Sequence, residues 1–208
     1  MMHRGADSVD GLVLARLVED LSARGYSVAA DFLDASTIAS LRANALELDR
    51  AGRLAPAAVG RGTDRRLHAG VRGDRIHWLD DTGDDPAEAC TRGAFEALRL
   101  AVNRELALGL FDLEAHYAAY PAGAGYARHR DCFTDDEHRV LSIVLYLNRA
   151  WRPSDGGRLR IHLPDATVKD VLPVGGTLVA FLSAQFEHEV LPAARERVSI
   201  AGWFRTRV

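Results

Sequence analysis

The sequence predicts an α+β fold, a double-layered β-sandwich or jelly roll of short strands in its second half with the helices of its first half packed on one outer face. Three observations predict it. Apolar residues before about residue 110 recur at helical spacing, those from about Asp112 onward gather into about eight short runs, and breaks such as Pro121-Ala122-Gly123, Asp155-Gly156-Gly157 and Gly175-Gly176 separate the runs. A two-layered sheet buried on its inner faces, with helices over one outer face, is the packing that such an order of elements allows.

The elements follow in order. Leu14, Leu17, Val18 and Leu21 form one stripe of a first helix, which Gly25 ends as a left-handed stop. Tyr26 to Leu33 reads as a strand. Asp34 or Ser36 caps a second helix that carries Ile38, Leu41, Ala45 and Leu48 on one face and ends near Gly52. Ala55 to Ala69, rich in Gly, Ala and Arg and without periodicity, reads as a mobile surface loop. Asp85 caps a third helix with Pro86 in its first turn and Phe95, Leu98, Val102 and Leu106 as its stripe. The strands then follow as Leu113–Tyr120, Tyr126–His129, Leu141–Leu147, Leu159–Leu163, Thr167–Leu172, Thr177–Phe181, Glu187–Leu191 and Val198–Phe204. All of this fits one domain over 1–208, with a helical buttress and loop at about 9–110 and the strand-rich part at about 111–208.

Composition narrows the function. The chain has 208 residues and a net charge of −3, with a pI of about 6.2, so the basic footprint of a nucleic-acid binder is missing. No apolar run approaches a membrane span, and the first residues lack the apolar core of a signal peptide, which predicts a cytoplasmic protein. Two cysteines, Cys90 and Cys132, are too few for a disulfide framework and suit a reducing compartment.

Chemistry concentrates around His129 and Asp131, two apart in Ala127-Arg128-His129-Arg130-Asp131. On a strand both project to one side and can share a metal ion. His188 adds a second imidazole from another strand. Two histidines and one carboxylate make a facial triad, which holds iron(II) and leaves coordination positions open, whereas structural zinc takes four protein ligands. The open positions admit a bidentate organic acid and dioxygen. Arg197 can grip the far carboxylate of that acid through two hydrogen bonds, and Tyr146 can add a phenolic donor. Each piece alone has a plainer reading, with His129 and His188 as solvated strand histidines and Arg197 as a surface cation. The order HxD, distal His, then Arg is what raises them together.

With these residues in place, the chain resembles the 2-oxoglutarate- and iron(II)-dependent dioxygenases. Within them it resembles the prolyl 4-hydroxylases of the oxygen-sensing type and their bacterial relatives. The likeness runs from about Ser22 to Trp203. Its specific pieces are Tyr120-Pro121-Ala122-Gly123-Ala124-Gly125-Tyr126-Ala127-Arg128-His129-Arg130-Asp131, Tyr146-Leu147-Asn148, Gly156-Gly157-Arg158-Leu159-Arg160-Ile161, His188-Glu189-Val190 with Arg197, and upstream Val71-Arg72-Gly73-Asp74-Arg75-Ile76-His77-Trp78.

The resemblance implies a double-stranded β-helix of cupin-like form. It implies iron(II) on His129, Asp131 and His188, and the distal carboxylate of 2-oxoglutarate on Arg197 and Tyr146. Tyr120 lines that pocket and Trp203 packs close to the metal. Asp74 pairs with Arg139 to fasten the loop, Arg72 faces a polypeptide substrate, and Trp78 reads as core. The implied reaction hydroxylates C4 of a proline in a protein or peptide, turning 2-oxoglutarate and O2 into succinate and CO2, with ascorbate as supporting reductant, in a monomer. Substrate binding orders the stretch from Ala55 to Arg72.

Two other readings stay open at this point. One is a hydroxylase of a free amino acid or other small metabolite, against which the Val71–Trp78 segment argues; the other is a non-catalytic metal-binding interaction domain. Halogenation is disfavoured because Asp131 keeps the carboxylate that a halide would have to replace. Of eight histidines, His3, His68, His77, His116, His138 and His162 read as structural or solvated.

Overall fold

The computed structural model describes residues 9–57, 71–80, 83–132 and 138–207. His3, His68 and the greater part of the Ala55–Ala69 loop, with its expected ordering on substrate binding, lie outside the described residues.

In chain order the elements are α1 (Gly11–Arg24), β1 (Tyr26–Ala29), α2 (Ala35–Arg50), β2 (Ala55–Pro56), β3 (Arg75–Trp78) and α3 (Pro86–Leu106). They continue as β4 (Asp112–Tyr120), β5 (Tyr126–His129), β6 (Arg139–Tyr146), β7 (Leu159–His162), β8 (Val168–Val171), β9 (Leu178–Leu182), β10 (Glu187–Val190) and β11 (Arg197–Arg205). Each helix begins on an aspartate whose carboxylate accepts orphan backbone N–H groups: Asp10 from Leu12, Asp34 from Ser36 and Thr37, and Asp85 from Glu88. Helix α1 ends at Gly25, whose φ of 77° suits glycine and whose N–H donates to the carbonyl of Leu21.

Two antiparallel sheets face each other. The larger has the order β1-β9-β6-β11-β4-β3-β2 and the smaller β5-β10-β7-β8. Alternation along the strands divides the interior into two cores. Ile143 and Leu145 on β6, Leu178 and Ala180 on β9, and Ile200 and Phe204 on β11 point to the helices. Tyr146, Val179 and Phe181, one residue out of phase, point to the space between the sheets, where Leu159 and Ile161 meet them. On the helical side Phe95 stacks on Phe32 with centroids 6.1 Å apart. Leu98 is wholly buried there; burial of such a side chain stabilises by about 1.5–3 kcal/mol.

Three features differ from the sequence reading. The strand from Tyr26 stops at Ala29, because Asp31 takes a φ of 53°. The chain turns there, Phe32 donates its N–H to the carbonyl of Gly176, and Phe32 and Leu33 drop into the helical core. Arg75–Trp78 is a strand with no counterpart among the expected ones. It pairs with β4, and Ala55–Pro56 pairs with it in turn. Strands from the first half of the chain thus form both edges of the larger sheet, so the change of texture near residue 110 is not a boundary between layers. Among the described residues no helix is long and apolar enough to cross a membrane.

Candidate active site

One cavity opens between the sheets, and strand alternation builds its wall. On β11, Arg197, Ser199, Ala201 and Trp203 share the inner face and all line it; on β4, His116, Ala118 and Tyr120 do the same.

His129 closes β5 and lies directly opposite His188 on β10, so that antiparallel pairing sets the two imidazoles side by side with centroids 4.2 Å apart. Asp131 lies beyond the end of β5, in a bend, and not on the strand with His129. It still turns inward, with Oδ1 3.6 Å from His129 Nε2 and Oδ2 3.5 Å from His188 Nε2. The three offer ligand atoms within 4.8 Å of one another. Asp131 and His188 are buried and His129 is half-buried.

Each of these groups has a partner that aims it. Nδ1 of His129 is 2.8 Å from the carbonyl of Ala127 and Nδ1 of His188 3.4 Å from that of Phe186, contacts that orient both rings with Nε2 toward Asp131. Ser142 Oγ donates to Asp131 Oδ2 at 2.7 Å, and Ser183 Oγ lies 2.8 Å from Ser142 Oγ. Tyr126 stacks on His129 with centroids 3.6 Å apart. Burial works against ionisation of Asp131, but the two histidines and the Ser142 hydrogen bond outweigh it and hold the carboxyl well below the usual carboxylate range. Burial pushes His188 down to about 4, against the pull of Asp131. An anionic carboxylate beside two inward-facing imidazole Nε2 atoms is the donor set that a divalent transition metal accepts, and no fourth ligand closes the site among the described residues.

Deeper in the cavity Arg197 is only 2% exposed, far from the surface cation of the plainer reading. Its guanidinium lies over the rings of Tyr120 and Tyr146, at 4.9 and 5.1 Å from their centroids. Nη2 donates to the Tyr146 hydroxyl at 3.5 Å, while Nε and Nη1 are buried with no partner. Burial pushes both phenols up, so both stay hydroxyl donors. A buried cation with two unused donors is costly unless an anion completes it. A carboxylate held by Arg197 would supply what those donors lack, so the residues present fit both iron(II) and a dicarboxylic acid.

Near the cavity mouth the structure corrects the expected pairing of Asp74 with Arg139. Asp74 accepts two hydrogen bonds from Arg72, whose Nε and Nη2 are thereby committed inward. Burial disfavours the Arg72 charge, but Asp74 outweighs it and raises its pKa. Arg139 instead binds Glu114, with Nη2 2.6 Å from Oε1, and lies 3.7 Å over the ring of Trp203. The physical reason is proximity: Arg72 and Asp74 are two apart on one extended stretch, and Glu114 and Arg139 sit on strands that flank β11. Trp78, read as core, is 45% exposed. The 71–73 stretch runs beside β5, with Ala127 N–H donating to Val71 and Gly73 N–H to Gly125, which sets it next to His129.

Ser142, Tyr126 and His116 were not assigned to the site from sequence. A signal existed for two of them. Ser142 is four residues from Tyr146 on β6 and His116 four from Tyr120 on β4, so strand alternation alone sets each on the same face as a named pocket residue.

The family model described as the 2OG-Fe(II) oxygenase superfamily matches residues 115–205. Among solved structures, a Pseudomonas putida prolyl-4-hydroxylase is 47% identical and superposes with a TM-score of 0.86, covering 94% of this chain and 100% of that one. A prolyl hydroxylase from Trichoplax adhaerens, in complex with a peptide fragment of the hypoxia inducible factor oxygen degradation domain, is 26% identical, with a TM-score of 0.84 and coverage of 93% and 89%. Among curated proteins, prolyl 3-hydroxylase OGFOD1 of Xenopus laevis is 34% identical over 91 residues, which cover 38% of this chain and 18% of that protein.

Proposed function

This chain belongs to the 2OG-Fe(II) oxygenase superfamily and is a 2-oxoglutarate-dependent dioxygenase, and on that premise we propose that it hydroxylates C4 of a proline in a protein or peptide. The observation that carries this reading is the buried pairing of two features in one cavity: the His129, Asp131 and His188 cluster, and the Arg197 guanidinium with two unused donors. Iron(II) and 2-oxoglutarate, when bound, supply the oxidising chemistry that turns O2 and 2-oxoglutarate into succinate and CO2.

The protein's own groups do the rest. His129, Asp131 and His188 hold the metal. Arg197 and the Tyr146 hydroxyl bind and orient the distal carboxylate, and Tyr120 and Trp203 wall the cavity and exclude water. The Arg72 and Asp74 pair stiffens the stretch beside β5 where a peptide would pass. Position C4 is favoured over C3 because the 4-hydroxylase of P. putida matches end to end, whereas the 3-hydroxylase match spans 18% of that protein. A peptide substrate in place of a free amino acid is supported by the Trichoplax relative, which binds one. A monomer, ascorbate as supporting reductant and a cytoplasmic setting complete the proposal.

The test is turnover of 2-oxoglutarate by purified protein with iron(II), followed by incubation with host-cell extract and mass spectrometry of prolines that gain one oxygen. Amino-acid analysis separates 4-hydroxyproline from 3-hydroxyproline. No succinate from the wild type, or undiminished succinate from Asp131→Ala, would overturn the reading.

A further inference from the structure

Three aromatic rings run in contact from solvent to the wall of the metal cavity. Trp78, at the end of β3, is 45% exposed. His116 on β4 lies edge-on to it with centroids 4.9 Å apart, and Trp203 on β11 follows at 5.4 Å. Strand register sets them in line: Trp78 pairs with His116, His116 pairs with Ala201, and Trp203 is two residues on from Ala201 on the same face. His116 and Trp203 line the cavity that holds the metal-binding cluster. His116 is buried, its Nδ1 has no hydrogen-bond partner, and nothing in the proposed hydroxylation uses it.

We propose that Trp203, His116 and Trp78 form a relay that carries oxidising equivalents out of the cavity when no substrate is there to receive them. This rests on reading the site as an iron(II) and 2-oxoglutarate centre. Indole is among the side chains that lose one electron most readily, and imidazole serves as the bridge between two of them. With iron(II) and 2-oxoglutarate bound, the site would hold two oxidising equivalents for each dioxygen and 2-oxoglutarate consumed without substrate. Trp203 gives it one electron, and Trp78 refills Trp203 across His116. The vacancy then rests on Trp78, whose indole N–H releases its proton to water. An external one-electron donor of the ene-diol or thiol class returns the electron and solvent returns the proton. A second passage repeats this, and two electrons with two solvent protons reduce the oxidant to water.

Electrostatics give the relay its direction. The Arg139 guanidinium 3.7 Å over Trp203 disfavours positive charge on the inner ring. Trp78, reached by water, is the easier place for it. His116 adds no cation between them, since burial pushes its pKa down to about 3.

The experiment is turnover without substrate, with iron(II), 2-oxoglutarate, dioxygen and catalase. Oxygen atoms added to each tryptophan are mapped by peptide mass spectrometry and normalised to succinate. In the wild type, modification concentrates at Trp78, several-fold above Trp151, a buried tryptophan outside the contact chain. In Trp78→Phe, which keeps the ring contact but not the easy oxidation, modification moves to Trp203 and its neighbours. Succinate made before inactivation then falls several-fold, and ascorbate protects this variant less than the wild type. Equal modification of Trp78 and Trp151, or an unchanged pattern and lifetime in Trp78→Phe, overturns the relay while succinate release leaves the site reading standing. No succinate at all overturns both.

Discussion

Arg72 and Asp74 hold each other through two parallel hydrogen bonds, Nε to Oδ1 at 2.7 Å and Nη2 to Oδ2 at 2.9 Å, beside the strand that carries His129. Only 1% of the Asp74 side chain and 13% of the Arg72 side chain are exposed. Asp74→Asn therefore leaves a buried guanidinium without its counter-ion, a change that costs about 3–5 kcal/mol. Arg139→Gln removes the pair with Glu114 and the contact over Trp203, but Glu114 keeps Arg205 as a partner and no buried charge is left alone, so it costs less. Denaturant unfolding of the two variants compares them; equal losses would mean that the Arg72 and Asp74 pair matters no more than the pair of Arg139 with Glu114.

Ser142 touches no metal, yet its hydroxyl fixes the Asp131 oxygen that faces His188. Groups that orient a ligand in this way change metal affinity by about 10–100-fold when removed. Ser142→Ala should weaken iron(II) binding by that amount in an anaerobic titration and recover succinate formation at excess iron. Affinity unchanged from the wild type would reduce Ser142 to a core residue.

Arg197→Met tests whether the deep cation waits for an anion. In the ligand-free protein the guanidinium has two buried donors unused, so replacing it with an apolar chain should leave stability unchanged or raised. The same change should abolish the rise in melting temperature that 2-oxoglutarate confers on the wild type, since that rise comes only from binding to the folded state. A large loss of ligand-free stability would mean that the guanidinium is already satisfied.

His116 predicts a pH dependence that does not involve the metal. Its pKa falls from 6.5 to about 3 on folding, through burial. Below pH 6.5 the unfolded chain takes up a proton that the folded chain refuses until about pH 3. The stability is therefore intact above pH 6.5 and declines as pH falls through that window, by at most about 1.4 kcal/mol per unit. His116→Met should flatten this slope when unfolding free energies are measured at pH 7, 5.5 and 4. Parallel slopes would mean that His116 protonates without unfolding.

The helices were legible because their signals are local: Asp34 and Asp85 cap where sequence placed a cap, and Gly25 ends α1 as a glycine should. Most strand cores were legible from alternation, with Tyr126–His129 correct to the residue. Arg75–Trp78 was not, because a run of four residues is too short for the alternation of Ile76 and Trp78 with Arg75 and His77 to stand out, and it is pairing with β4 that makes them a strand. The His129, Asp131 and His188 cluster was readable from spacing and resemblance, although Asp131 reaches the site from a bend instead of from the strand. The partner of Asp74 was not readable, because the choice between Arg72 and Arg139 depends on tertiary placement, which sets Arg139 across β11 against Glu114 and leaves Arg72 beside Asp74. Nor was the exposure of Trp78, which follows from its place beside the short, two-residue β2.

Strand β11 has a consequence for how the polypeptide is made. It is the last of the described strands in chain order, and it stands between β4 and β6 at the middle of the larger sheet. During synthesis the edges of β4 and β6 that face each other stay open until residues 197–205 follow. Tyr26 likewise waits for Phe181. Such distant pairings slow folding and leave sticky intermediates. The metal-binding cluster and the deep cation thus come together only once His188 and Arg197 have been drawn in beside residues made long before them.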